Sequence, residues 1–175
     1  PSRSDCLVCH NSGIGGPAGP RTHQLNRPTL YPSTGRKDNQ LRTWNHLGVF
    51  ETPLDGGAWR NLPSAAALDD ASASLEKRAR SYLDTNCGYC HQPATGNRAS
   101  FDARFGTPLA EQGLVWGGVI DALGIPDAYL VKPGDPLSSL VFHRAAALGP
   151  EAMPPLAKNE VDEEGVALLS AWIQR

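Results

Sequence analysis

The four cysteines of this 175-residue chain fall into two copies of one pattern, Cys6-Leu7-Val8-Cys9-His10 and Cys87-Gly88-Tyr89-Cys90-His91, and none is left over. At this spacing two thiols can add to the two vinyl groups of a haem, while the adjacent histidine turns under the ring as the proximal iron ligand. The pattern therefore predicts two covalently bound haems c, one on Cys6, Cys9 and His10 and one on Cys87, Cys90 and His91. Other chemistry suits the spacing less well. A zinc ribbon also uses Cys-x-x-Cys pairs, but at a separation of about 15 to 20 residues, and Cys9 and Cys87 are several times farther apart. A thioredoxin-like dithiol needs alternating strand and helix patterns around it, which neither motif has. Two plain disulfides would leave the paired histidines unexplained.

An iron held by histidine on one side takes a sixth ligand on the other or keeps an open site. Met153 is the only methionine, and it stands in Met153-Pro154-Pro155-Leu156. A thioether ligand raises the reduction potential of haem, and prolines stiffen the loop that would present it. Met153 is assigned to the His91 haem; since one methionine serves one iron, the His10 haem is expected to take a histidine. His23, His46 and His143 are the candidates. His46 is preferred, because Trp44-Asn45-His46-Leu47-Gly48-Val49-Phe50 surrounds it with side chains suited to a haem wall. His23 lies in a polar loop near Arg21, and His143 follows Val141 and Phe142 on an expected short helix, as a surface residue or a neighbour of a ligand. Arg27, Arg98 and Arg104 are candidate partners for haem propionates. Trp116 and Tyr129 are expected to fill the haem pockets as core aromatics.

These groups must be positioned by few regular elements, for 18 glycines and 15 prolines predict long irregular loops. Asp69, Asp70 and Ser72 are good helix starters, and Leu75, Ala79, Tyr82 and Leu83 then fall on one helical face that runs into Cys87. Near the end of the chain Val161, Val166, Leu169, Trp172 and Ile173 share another face, with Asp162, Glu163 and Glu164 in the first turn. The two helices are expected to cross and cover one edge of the second haem. No strong helical period follows Cys6, and Gly13, Gly15, Gly16, Pro17, Gly19 and Pro20 predict a loop wrapped round the first haem. A helix leading into that motif is missing, so the chain is expected to be a piece of a longer protein or a trimmed one. The fold class expected is mostly α, cytochrome c-like and loop-rich, with two haem-binding halves at residues 1–67 and 68–175.

A net charge of −2 leaves no basic stripe, so nucleic acid is not an expected partner. The longest apolar runs, such as Val166 to Ile173, are too short to span a bilayer, and no signal peptide opens the chain. An export signal is expected to lie upstream or to have been removed. No Ser-His-Asp arrangement or paired-carboxylate site stands out, and Asp162-Glu163-Glu164 reads as helix-start charge.

Asn86-Cys87-Gly88-Tyr89-Cys90-His91, Phe101-Asp102-Ala103-Arg104, Pro133-Gly134-Asp135-Pro136, Met153-Pro154-Pro155-Leu156 and Val161 to Leu169 together resemble a family of bacterial diheme c-type cytochromes. The likeness extends upstream through Ser2 to His10, Gln24-Leu25-Asn26-Arg27 and Trp44 to Phe50, which is nearly the whole chain. Members of the family are often fused to, or found beside, periplasmic dehydrogenases such as quinoprotein sugar dehydrogenases. The resemblance implies a periplasmic electron carrier, not an enzyme, that accepts electrons from such a dehydrogenase and passes them to a downstream cytochrome or oxidase. The competing class is a haem enzyme of the diheme peroxidase type, in which the first haem keeps an open position.

Overall fold

The computed structural model describes residues 2–15, 18–96 and 100–175. The chain divides into two compact units, one made of Pro1–Ala18 with Ala67–Arg175 and the other of Gly19–Ala66. The expected boundary near residue 67 is a change of unit, but the first 18 residues group with the C-terminal part instead of with the segment that follows them. The regular elements are helices α1 (Arg3–Cys9) and α2 (Thr22–Leu25), strands β1 (Pro28–Tyr31) and β2 (Arg36–Asn39), and helices α3 (Gln40–His46), α4 (Leu75–Asn86), α5 (Leu140–Ala146) and α6 (Glu163–Ile173). Among the described residues the fold is thus helix-rich, with one small two-stranded sheet and long loops. Among the described residues no helix is long and apolar enough to cross a membrane.

The two helical faces read from the sequence are α4 and α6. Helix α4 starts slightly later than its acidic starters suggest, because Ser74 is the cap: its Oγ accepts the Lys77 N–H at 3.1 Å. Asp70 closes a small turn of its own, taking the Ser72 N–H at 3.0 Å. Helix α6 is capped by Asp162, whose Oδ1 accepts the Gly165 N–H at 2.9 Å, and Glu163 and Glu164 favour its positive end. The helices meet where Gly165 lies against the Tyr82 ring, so closely that a Cβ on residue 165 would collide with it. Only glycine lets the two helices approach at that point. Behind the crossing, Leu83, Leu169 and Ile173 join Leu114, Leu130 and Val131 in the core. Each such burial contributes about 1.5–3 kcal/mol.

The segment after the second motif is pinned to α4 by side chains buried in its flank. Asp84, fully buried, accepts the Phe105 N–H at 3.0 Å, while Arg80 donates to the carbonyls of Phe105 and Thr107 at 2.8 and 2.6 Å. Arg104 grips Asp102 with two N–H groups at 2.9 and 2.6 Å. Asp102 is thus the partner that the Arg104 fork has in the structure. Burial alone would raise the Asp102 carboxyl, but hydrogen bonds from Arg104 and Thr107 outweigh it and hold the group below its ordinary range. Arg27 is exposed, and Arg98 lies outside the described residues.

The placement of Trp116 corrects an expectation. Its ring is 55% exposed and packs edge-on against Tyr129, with centroids 5.2 Å apart. The Trp116 N–H donates to the Val131 carbonyl at 2.8 Å, and Leu114 and Val131 already fill the core there, which leaves the indole outside.

The Gly19–Ala66 unit is organised round Asn26 and the antiparallel hairpin, in which Pro28 pairs with Asn39 and Tyr31 with Arg36. The Asn26 amide donates to the carbonyls of Trp59 and Leu62 at 3.0 and 2.8 Å and accepts from Asn39 at 2.8 Å. One buried amide thereby ties the hairpin to the extended tail of the unit. Leu41 of α3 is the buried apolar side chain of this unit.

Candidate functional site

Both Cys-x-x-Cys-His motifs take the same local shape. The first lies on α1, a seven-residue helix that the periodicity did not reveal. Its signal is a capping box: the Asp5 N–H donates to Ser2 Oγ at 3.3 Å, and the Ser2 N–H donates to the Asp5 carboxylate at 2.7 Å. His10 N–H then donates to the Cys6 carbonyl at 2.9 Å. In the second motif α4 continues through the bond from Cys87 N–H to the Leu83 carbonyl, 2.8 Å, and His91 N–H donates to the Cys87 carbonyl, also 2.8 Å. Each motif is therefore closed into one helical turn. Residues three apart on such a turn lie close on its surface, and in the second motif Cys87 and Cys90 line one space with His91 directly after them.

The unit also brings the two motifs together. Cys9 Sγ lies 2.7 Å from Cys90 Sγ, across 81 residues of sequence, and none of the four cysteines forms a disulfide. The loops beyond the motifs run close as well, for a Cβ on Gly13 would strike the Ala94 carbonyl.

Cys87, Cys90 and His91 open onto a cavity of about 830 Å³, and Met153 with Pro154 and Pro155 forms another part of its wall. Leu83, Val119, Leu130, Leu140, Val141 and Leu169 supply much of the remaining lining, and Cys9 reaches it from α1. The size is that of a site for a large organic group, and the lining is of the apolar kind such sites use. Trp116 and Tyr129 are not among the lining residues. Four of the side chains selected from the sequence for the second site thus share one space, although Met153 is far from the motif in the chain. Cys6 and His10 are exposed on and just beyond α1.

Phe101 stacks on the His91 imidazole with centroids 4.2 Å apart and planes 17° from parallel. It is held there by the segment pinned to Arg80 and Asp84. Phe101 belongs to the Phe101-Asp102-Ala103-Arg104 stretch, and no local spacing shows that it will meet His91. Burial pushes the Cys87 thiol up to about 12, with Asp84 adding and Lys158 opposing. Burial and the contact with Cys9 push Cys90 up to about 12 as well. Both groups are neutral thiols at pH 7, whereas the attacking cysteine of a dithiol oxidoreductase has a lowered pKa.

The three remaining histidines sit in different settings. His46 ends α3 in the Gly19–Ala66 unit and is exposed, followed by exposed Leu47 and Val49. His23 lies on α2 in the same unit, where its carbonyl accepts the Ala65 N–H at 2.8 Å. His143 lies on α5, as expected for a short helix there, and its Nε2–H donates to the Leu137 carbonyl at 2.8 Å. That bond, with the edge-on contact to Phe142, gives His143 a structural role. No family model, no curated protein and no solved structure matches the chain.

Proposed function

We propose that this chain is a periplasmic electron carrier with two covalently attached haems c, taking single electrons from a dehydrogenase and passing them to a downstream cytochrome or oxidase. The observation that carries the reading is the convergence of Cys87, Cys90, His91 and Met153 on one apolar cavity. The residues fit haem c in three respects. Two thiols of one helical turn line one space, an imidazole follows them, and a thioether lines the same space. A haem c bound there supplies an iron that gains and loses one electron.

The chain's own part is to attach, orient and shield. Cys87 and Cys90 provide the attachment points, and the bond from His91 N–H to the Cys87 carbonyl sets the imidazole directly after them. Phe101 holds the plane of that imidazole by stacking on it. Met153 would supply the second side-chain ligand to a haem iron held there, and Pro154 and Pro155 line the wall beside it. A haem held by both His91 and Met153 would keep no open position for a substrate, and its chemistry would be single-electron transfer. The leucine and valine side chains of the wall would lower the local dielectric beside a haem, which with a thioether ligand favours a high potential. The same local turn at Cys6, Cys9 and His10 supports a second attachment site, for which His46 is the histidine nominated as sixth ligand.

Mass spectrometry of the denatured, matured protein tests the reading. It is expected to show the polypeptide plus two haem masses, with visible spectra of a reductive titration resolving two low-spin centres. A bare polypeptide or a single haem overturns it, and a high-spin ferric signal at the first centre favours the enzyme class instead.

A further inference from the structure

Lys158 has no role in the reading above, yet its ammonium group lies in an unusual place. It follows Met153 by five residues, is partly buried and lines the same cavity. Its Nζ donates to the carbonyl of Met153 at 3.3 Å, to that of Arg144 at 3.3 Å, and to that of Ala145. Arg144 and Ala145 are in the last turn of α5, where carbonyls have no partner within the helix and the negative end of the helix dipole favours a cation. The Met153 N–H occupies the same terminus, donating to the Arg144 carbonyl at 3.0 Å. Helix α5 in turn supplies Val141 and Ala145 to the cavity wall and packs on α6. The loop bearing Met153 is therefore fastened at both ends to a wall of the site.

We propose that Lys158 is the positioning residue for Met153: by binding the Met153 carbonyl and the α5 terminus together, it holds the thioether where it can occupy the axial position. The proposal rests on the reading of Met153 as an iron ligand. Lys158 does not touch the metal in this role; it restricts the loop, so the thioether competes better against any ligand arriving from solvent. Its flexible stem reaches three carbonyls that face different ways, and each contact is charge-assisted.

The test uses the haem-loaded ferric protein and added imidazole as the competing ligand, followed by the weak sulfur-to-iron absorption at the red end of the visible spectrum. Lys158→Met keeps the apolar stem and removes the charge and donors. It is expected to lose the sulfur band at about tenfold lower imidazole than wild type, a difference of about 1.4 kcal/mol and within the worth of a charged hydrogen bond. Lys158→Arg, which retains a cation and donors, is expected to recover most of that difference. Lys132→Met is the control for simple loss of charge, since Lys132 pairs with Asp127 and Asp135 at 2.8 and 3.4 Å and does not line the cavity. If wild type has the band and Lys158→Met titrates as wild type does, the proposal is overturned while the ligand role of Met153 stands. An equal shift in Lys132→Met overturns it too. Absence of the band in wild type removes the ligand reading itself, and the proposal with it. If Lys158→Met does not fold, Lys158→Gln takes its place and must shift the midpoint in the same direction.

Discussion

Gly165→Ala probes the contact that sets α4 and α6, and with them the helix that delivers Cys87. Residue 165 has ordinary helical geometry, so alanine is favoured by the backbone by about 1 kcal/mol. Against this, the new methyl would run into the Tyr82 ring, which is confined by neighbouring packing. Overpacking of this kind costs about 1–3 kcal/mol, so the net effect is between about zero and 2 kcal/mol of destabilisation. The sign is decided by Tyr82. In a Tyr82→Ala background the obstacle is gone, and Gly165→Ala is expected to stabilise by up to about 1 kcal/mol. The assay is urea unfolding of the four proteins of the double-mutant cycle, with a coupling of about 1–3 kcal/mol read from midpoints and slopes. If Gly165→Ala has the same effect in both backgrounds to within about 0.5 kcal/mol, the close approach does not govern the crossing and the reasoning fails.

Asp102→Asn removes the carboxylate that Arg104 and Thr107 bind, and is expected to cost about 1–3 kcal/mol at pH 7. Because the folded carboxyl titrates below its ordinary value of 3.8, this stabilisation is fully present above 3.8 and is lost as pH falls from there through the lower folded value, so the difference between the two proteins in acid unfolding should begin to shrink below about pH 4 and vanish only under that folded value. Met153→Ala is expected to abolish the sulfur-to-iron absorption and lower one reduction potential; an unchanged spectrum would refute the ligand assignment. The two haem potentials are expected to differ by about 0.1–0.3 V, the His10 centre being lower, because imidazole favours ferric iron more than a thioether does. His46→Met should raise only the lower wave in a redox titration, and a lower wave that stays in place rules His46 out as the ligand.

What the sequence alone determined was whatever a few neighbouring residues decide. The two Cys-x-x-Cys-His patterns, the faces of α4 and α6, the acidic start of α6 and the short helix at His143 all depend on spacings of a turn or two, where side-chain type and backbone period act directly. Helix α1, by contrast, was not expected: seven residues are too few for a periodic face to show, and its one local signal is the Ser2 and Asp5 capping pair. Other features depend on residues that meet only after folding. Arg104 could not be matched to Asp102 by composition, and Trp116 looked like core until Leu114 and Val131 filled the space. Phe101 on His91, Gly165 on Tyr82 and Lys158 on the end of α5 are likewise contacts between separate elements. Met153 was chosen from the sequence as a lone thioether, but only the packing of α4, α5 and α6 brings it to the cavity that holds the second motif. Long-range contacts of this kind are selected by the burial of the whole core, which no short window contains.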